Sequence, residues 1–233
     1  MDYKKNYKYF YANWVIVIIG CCIAGFGLIL ITIFRFTSYF MGMVIIGAGI
    51  AVFSFTGKLK DADIDEMTGE SRKTINDKAL KEFAFTDRQL RDITSHDFGE
   101  YEFPESGTLH VRHGGDGKYR SSRYCVWSIS IGRDELYFYA QRYSLTEEDE
   151  SHTRQTLKLD DYAGAEITEH TFINKYGKDN SKTREIKFYT FDFHKTGGET
   201  ISLPVHPDIN ADELIKKLDH LVNIRRKQSA ENN

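Results

Sequence analysis

Apolar and polar positions change period three times along the chain. An unbroken apolar run covers residues 14–34, and a second, residues 38–56, holds no charge. Each is roughly 20 residues long, enough to cross a hydrocarbon core of about 30 Å as an α-helix. Arg35 and its neighbours separate them, so the pattern predicts a two-helix transmembrane hairpin over residues 14–56. Residues 57–72 are polar and acidic and read as a solvated juxtamembrane linker. Residues 74–96 take a helical period in two pieces, with Leu80 and Phe83 on one side of the first and Leu90 and Ile93 on one side of the second. Thr86 and Gln89 stand at capping-box spacing at the start of the second piece.

From about Tyr101 the period becomes alternating. Leu109 and Val111 lead into Gly114-Gly-Asp-Gly117, which reads as a hairpin turn. Cys125, Trp127, Ile129 and Ile131 share one face of the next strand, with Ser128 and Ser130 on the other. Leu136, Phe138 and Ala140 continue the buried face on a further strand, and residues 143–152 read as an acidic loop. Leu157 and Leu159 start another strand, which breaks at residues 160–164 and resumes over 165–171. Ile186, Phe188, Phe191 and Phe193 lie on a strand whose phase slips, which predicts a bulge near Tyr189. Ile201, Leu203 and Val205 alternate on the last strand, and Pro204 places it at a sheet edge or strand end. A helix closes the chain. Asn210 is its expected N-cap, with Glu213 at the capping-box position, and Leu214, Ile215, Leu218, Leu221 and Val222 form its apolar stripe. Residues 229–233 read as a frayed tail.

Charge orients this plan. Lys4, Lys5 and Lys8 precede the first run, Lys58 and Lys60 follow the second, and Arg35 alone marks the turn. Cytoplasmic flanks carry the excess of Lys and Arg, so both termini are expected in the cytoplasm of a multi-pass cell-membrane protein. Tyr9, Phe10, Tyr11, Trp14, Tyr39 and Phe40 stand where interface anchors belong. Ile18-Ile-Gly-Cys21 loosely matches a lipoprotein cleavage box, but the apolar run continues to Phe34 and a second follows. Cys21 and Cys22 are therefore read as small residues inside a helix. Gly20 with Ala24, Cys21 with Gly25, and Gly47 with Ala51 repeat small residues at four-residue spacing. Such positions let the two helices pack on each other or drive homo-oligomer formation. Neither run holds an Asp, Glu, Lys, Arg or His, which argues against transport through the hairpin itself.

The chain has 233 residues and a net charge of -3, which argues against nucleic acid as the main partner. Three cysteines, two of them in the first apolar run, exclude an extracellular disulfide scaffold. Cys125 shares a face with Trp127 and Ile129 and reads as a buried structural thiol rather than a nucleophile. Asp61, Asp63 and Asp65 have the spacing that opens a calcium loop, but Glu66 and Arg72 occupy its sixth and twelfth positions where Gly and Glu are needed. His110 and His113, three apart on a strand, fall on opposite faces. No metal site and no cofactor motif is expected. No helix follows the glycine-rich turn as a phosphate loop requires, and no Gly-x-Ser-x-Gly or His-Glu-x-x-His sequence occurs.

The residues from Trp127 to Phe138, from Thr156 to Ile167, and from Gly198 to Leu203 leading into the last helix resemble the strand and turn text of bacterial pleckstrin-homology-like (PH-like) proteins. The resemblance covers roughly residues 101–227 and is a pattern of apolar positions. It implies a membrane-anchored α+β chain: cytoplasmic residues 1–13, the hairpin 14–56, a linker with connector helices 57–98, a PH-like antiparallel β-barrel or sandwich with a C-terminal helix 99–228, and the tail 229–233. It also implies a binding or scaffolding module rather than an enzyme. Arg112, Lys118, Arg120 and Arg123 surround the first hairpin, where the family receives anionic headgroups. Turn amides and cationic side chains are suited to phosphate oxygens there, and the alternative is a solvated hairpin end charged for solubility. The expected partners are the bilayer, an anionic lipid headgroup or a protein. The competing class is a membrane-anchored cytoplasmic hydrolase or transferase, which needs a cleft that joins Cys125 or Asp160 to a histidine.

Overall fold

Both apolar runs fold as helices, α2 (Trp14–Phe34) and α3 (Thr37–Phe55), after a short helix α1 (Tyr3–Phe10) at the N-terminus. The computed structural model describes residues 1–11, 14–34, 37–55, 59–104, 109–176, 181–206 and 211–231. Its contacts divide the chain into two units, Met1–Ile64 and Asp65–Asn233, each described here by itself.

In the first unit α2 and α3 pack through glycine. A Cβ on Gly20 would lie 2.8 Å from the Ala51 nitrogen and from the Gly47 oxygen, and a Cβ on Gly47 would overlap the Ala24 nitrogen. Two of the three predicted small-residue pairs therefore serve contact between these helices. The third does not, because Gly25 faces open space. The turn at Arg35 lies outside the described residues. Tyr9 is not an interface anchor: it is fully buried, and its hydroxyl donates to Asp61 Oδ1 at 2.8 Å. Among the described residues one helix, over Ile16–Ile33, is long and apolar enough to cross a membrane. The described apolar part of α3 is Phe40–Val52. Helix α3 as a whole runs for 19 residues, which at 1.5 Å per residue is about 28 Å.

Of the region read as a solvated linker, residues 61–72 are helical. Helix α4 runs over Asp61–Phe83, so the acidic stretch forms its first turns rather than a loop. The Lys60 amide donates to Asp63 Oδ2 at 2.7 Å and starts it. Ile64, Thr68, Ile75 and Ala79 are its buried positions, spaced at helical intervals beneath a charged majority. Helix α5 (Asp87–Asp92) carries the expected capping box: the Gln89 amide donates to Thr86 Oγ1, and the Thr86 amide donates back to Gln89 Oε1 at 3.0 Å. Residues 94–96, read as helical, instead begin strand β1 (Thr94–Tyr101), which pairs along its whole length with β4 (Arg123–Ile131).

Nine strands are described. β2 (Val111–His113) and β3 (Tyr119–Ser121) form a separate two-stranded hairpin. β5 (Glu135–Ser144) and β6 (Glu150–Lys158) complete an antiparallel sheet in the order β1-β4-β5-β6. Half of the residues read as an acidic loop, 143–144 and 150–152, thus extend β5 and β6. A 3-10 turn, Leu159–Asp161, follows at the predicted break. β7 (Tyr162–Tyr176), β8 (Lys182–Lys195) and β9 (Thr200–Val205) form the third sheet, with β9 at its edge, as Pro204 requires.

The expected bulge near Tyr189 is absent. β8 pairs without interruption there, and the register shift lies between Tyr162 and Gly164. The apolar phase changes because the covered face changes. Phe191 and Phe193 point into the core, while Phe188 faces the other way, with its ring 5.7 Å from that of Phe103.

Helix α6 (Ala211–Glu231) covers the core with Leu214, Leu218 and Val222. It runs through residues 229–231, which are therefore helical rather than frayed. The expected cap Asn210 lies outside the described residues. Trp127 stacks on Phe98 at 4.2 Å and meets Phe191 and Phe193 of the facing sheet at 6.2 and 6.3 Å. Its indole N–H donates to the Pro204 carbonyl at 2.7 Å, so the core's largest side chain is buried without an unsatisfied donor. The opposite face of the four-stranded sheet, which carries Ser128 and Ser130, is covered by α4: Ser128 Oγ donates to Asn76 Oδ1 at 2.6 Å and Lys78 to Gln141 at 2.8 Å. The architecture is α+β with a C-terminal helix. The sheets do not close into a barrel. Every residue of the edge strand β6 except Leu157 is exposed, so little apolar surface is left there for another strand to cover.

Candidate functional site

The glycine-rich turn joins β2 to β3 as expected. Gly114 donates its amide to the Lys118 carbonyl at 2.8 Å, and Gly117 takes a φ of 82°, a left-handed conformation that suits glycine. Asp116 accepts the Lys118 amide at 3.1 Å, which ties the turn. The same carboxylate receives Arg120, from Nη1 at 3.0 Å and from Nη2 at 2.7 Å.

Arg120 is the centre of the hairpin, but as an internal group. It is 1% exposed. Its other edge donates to Asp65 of α4, Nε to Oδ1 at 2.8 Å and Nη2 to Oδ2 at 2.5 Å. Two carboxylates neutralise it, and its donors are taken up in paired, fork-like bonds. The Arg120 hydrogen bonds hold the Asp116 carboxyl well below the usual carboxylate range. Arg123 also turns away from the hairpin, to Asp149 at 3.0 Å. Arg112 lies half-buried opposite Arg120 in the β2–β3 register, and Lys118 is exposed at the turn. The four expected cations thus do not form one cluster. Two are engaged within the fold, and Lys118 is the one placed at the surface.

Beside the hairpin lies a cleft of about 500 Å³ between α4, β1, β3 and β8. Tyr101 and Tyr124 line it with ring centres 5.1 Å apart, and the Tyr101 hydroxyl donates to Asp65 Oδ1 at 3.1 Å. Burial raises the pKa of both phenols. Glu100, Lys118 and His206 reach the same cleft. Burial raises the Glu100 carboxyl above its ordinary value; the Tyr101 amide bonded to Oε1 at 2.8 Å, His206 and Lys118 oppose it. Glu100 was not expected from sequence, since β1 itself was not. Its signal was parity: Phe98 and Glu100 alternate on the face that looks across to Trp127 and Cys125 of β4.

A second missed element stands next to the hairpin. β9 pairs with β8 only from Tyr189 to His194, so the distal parts of β7 and β8 pair with each other alone. This arm leans on the hairpin through Arg184, whose guanidinium carbon lies 5.7 Å from the Tyr119 ring centre and 4.9 Å from that of Tyr176. The His113 ring lies tilted beside that of Tyr119, with centres 4.6 Å apart. Arg184 thus stands beside two tyrosine rings, one of them on the hairpin that bears Lys118.

The residues weighed for catalysis are placed apart. Cys125 is fully buried in the core, and burial, with Glu102 nearby, pushes its thiol far up. Asp160 sits exposed in the 3-10 turn. His110 is half-buried before β2 and His113 is exposed on it. Compared with known proteins, the chain matches no family model, no curated protein and no solved structure.

Proposed function

We propose that the chain is a membrane-tethered, non-catalytic binding or scaffolding module of PH-like type. In this reading α2 and α3 both cross the bilayer, both termini are cytoplasmic, and the second unit recruits an anionic lipid headgroup or a protein partner at the cytoplasmic face. The observation that carries the binding site is the position of Arg184 over Tyr119, which joins the β7–β8 arm to the hairpin bearing Lys118. The PH-like reading is supported by two facing antiparallel sheets closed at the end of the chain by an amphipathic helix. The two-pass reading is supported by the glycine contacts between α2 and α3, which suit a helical hairpin in lipid.

The test uses the full chain in its native membrane. A photoreactive amino acid replaces Lys118, and in a control replaces Lys158 at the far end of the exposed edge strand β6. The account expects lipid or protein crosslinks from position 118 well above those from position 158. Equal yields from the two positions remove the hairpin as the binding site.

A further inference from the structure

The β7–β8 arm carries chemistry that the hairpin alone does not. Its odd-numbered face begins inside the sandwich, where Ala165 and Ile167 pack on the core, and emerges into solvent at Ile173, which is 57% exposed. Tyr176 lies 37% exposed at the end of β7. Among the described residues of the arm from 171 to 187, Lys175, Lys182, Arg184 and Lys187 stand against Glu185, and Lys187 is paired with Glu169 at 2.9 Å. Cations outnumber acids at this end of the arm, in a chain whose net charge is -3. An isolated two-stranded hairpin is marginal in water, but this one is propped: Phe172 and Phe188 each lie 5.7 Å from Phe103, and Arg184 stacks between Tyr119 and Tyr176. The described part of the arm carries an exposed aliphatic residue, Ile173, and a tyrosine, Tyr176, that follows Lys175 and pairs in register with Lys182.

We propose that the end of this arm docks on an anionic lipid surface, with Ile173 and Tyr176 entering the interfacial layer and Lys175 and Lys182 meeting lipid phosphates. Tyrosine is at home at that depth. Lysine stems lie along apolar surface while their ammonium groups reach the headgroups, and a negative leaflet attracts each of them. The occupant follows from this pairing of basic charge with exposed apolar side chains. The apolar helix over Ile16–Ile33 supplies the second anchor that a weak surface contact needs. The inference deepens the tethered-module reading and rests on it for that anchor.

The experiment is hydrogen–deuterium exchange on the full chain in nanodiscs of phosphatidylcholine alone or with phosphatidylglycerol. β7 is an edge strand, so its outward amides exchange unless something covers them. Exchange in peptides covering residues 171–176 should slow only in the anionic discs. K175E and K182E should each weaken that protection about fivefold, and I173S should weaken it in the same discs. All three side chains are exposed, so the variants keep the fold. Absence of protection in anionic discs, or equal protection in both kinds of disc, overturns the proposal. Protection that survives K118A supports the arm even where the crosslinks from position 118 have failed, so the two readings fail separately.

Discussion

Arg120 and Asp65 form a two-pronged ion pair that fastens the β2–β3 hairpin to helix α4, Nε to Oδ1 at 2.8 Å and Nη2 to Oδ2 at 2.5 Å. The arginine is 1% exposed and the aspartate side chain 46%. Removing the aspartate strands part of a buried guanidinium. D65A should cost about 1–3 kcal/mol, less than for a wholly buried pair because water already reaches Asp65. Replacing the charge as well, in D65A/R120M, should recover part of the loss, since no buried cation then lacks its partner. Thermal melts of the full chain in detergent check this. A double variant that loses the sum of the two single losses contradicts it.

Glu100 gives the second unit a pH dependence of definite sign. Burial raises its carboxyl in the folded state, so the folded chain holds that proton more tightly than the unfolded chain. Between the ordinary carboxylate value and the raised one, stability falls as pH rises, and it stays lower above that window. E100Q removes the penalty. Its melting temperature should exceed that of the native chain at pH 7, and the difference should close as pH falls to about 4. A difference that is the same at both pH values contradicts the assignment.

Leu218 is fully buried where α6 meets the core. L218D places a charge in an apolar seam at a cost of about 4 kcal/mol, which lowers the melting temperature by roughly 10 °C. K216D, on the exposed side of the same helix, should change it by little. If both variants melt alike, α6 does not seal the sandwich.

Legibility along this chain followed the density of apolar residues. The strand faces of Trp127, Ile129 and Phe138 and the stripe of α6 could be read because consecutive core positions are large and apolar. Helix α4 was hidden because its stripe is sparse, with Thr68 standing between Ile64 and Ile75 among acids and lysines. β1 was hidden for a related reason: its two large buried residues, Phe98 and Tyr101, are three apart and so break the alternation, and hydrogen bonds from Asn76 and Arg72 to Asp97 hold its outer face. The phase slip at Tyr189 was visible, but its cause was tertiary, since Phe103 covers the opposite face of β8 through Phe188. At the site, the turn and its basic residues were legible. Which of those cations were already engaged was not, because Asp65 and Asp149 lie far from Arg120 and Arg123 in sequence.

The most direct test of the tethered-module account is the sidedness of the two termini. A protease-cleavable tag is placed at each end of the full chain, and external protease is added to sealed cells. Two crossings with Lys4, Lys5 and Lys8 before them and Lys58 and Lys60 after them keep both ends inside. A single crossing through Ile16–Ile33 leaves the ends on opposite sides. The account predicts that both tags stay intact until the cells are opened. Cleavage of either tag in sealed cells contradicts it.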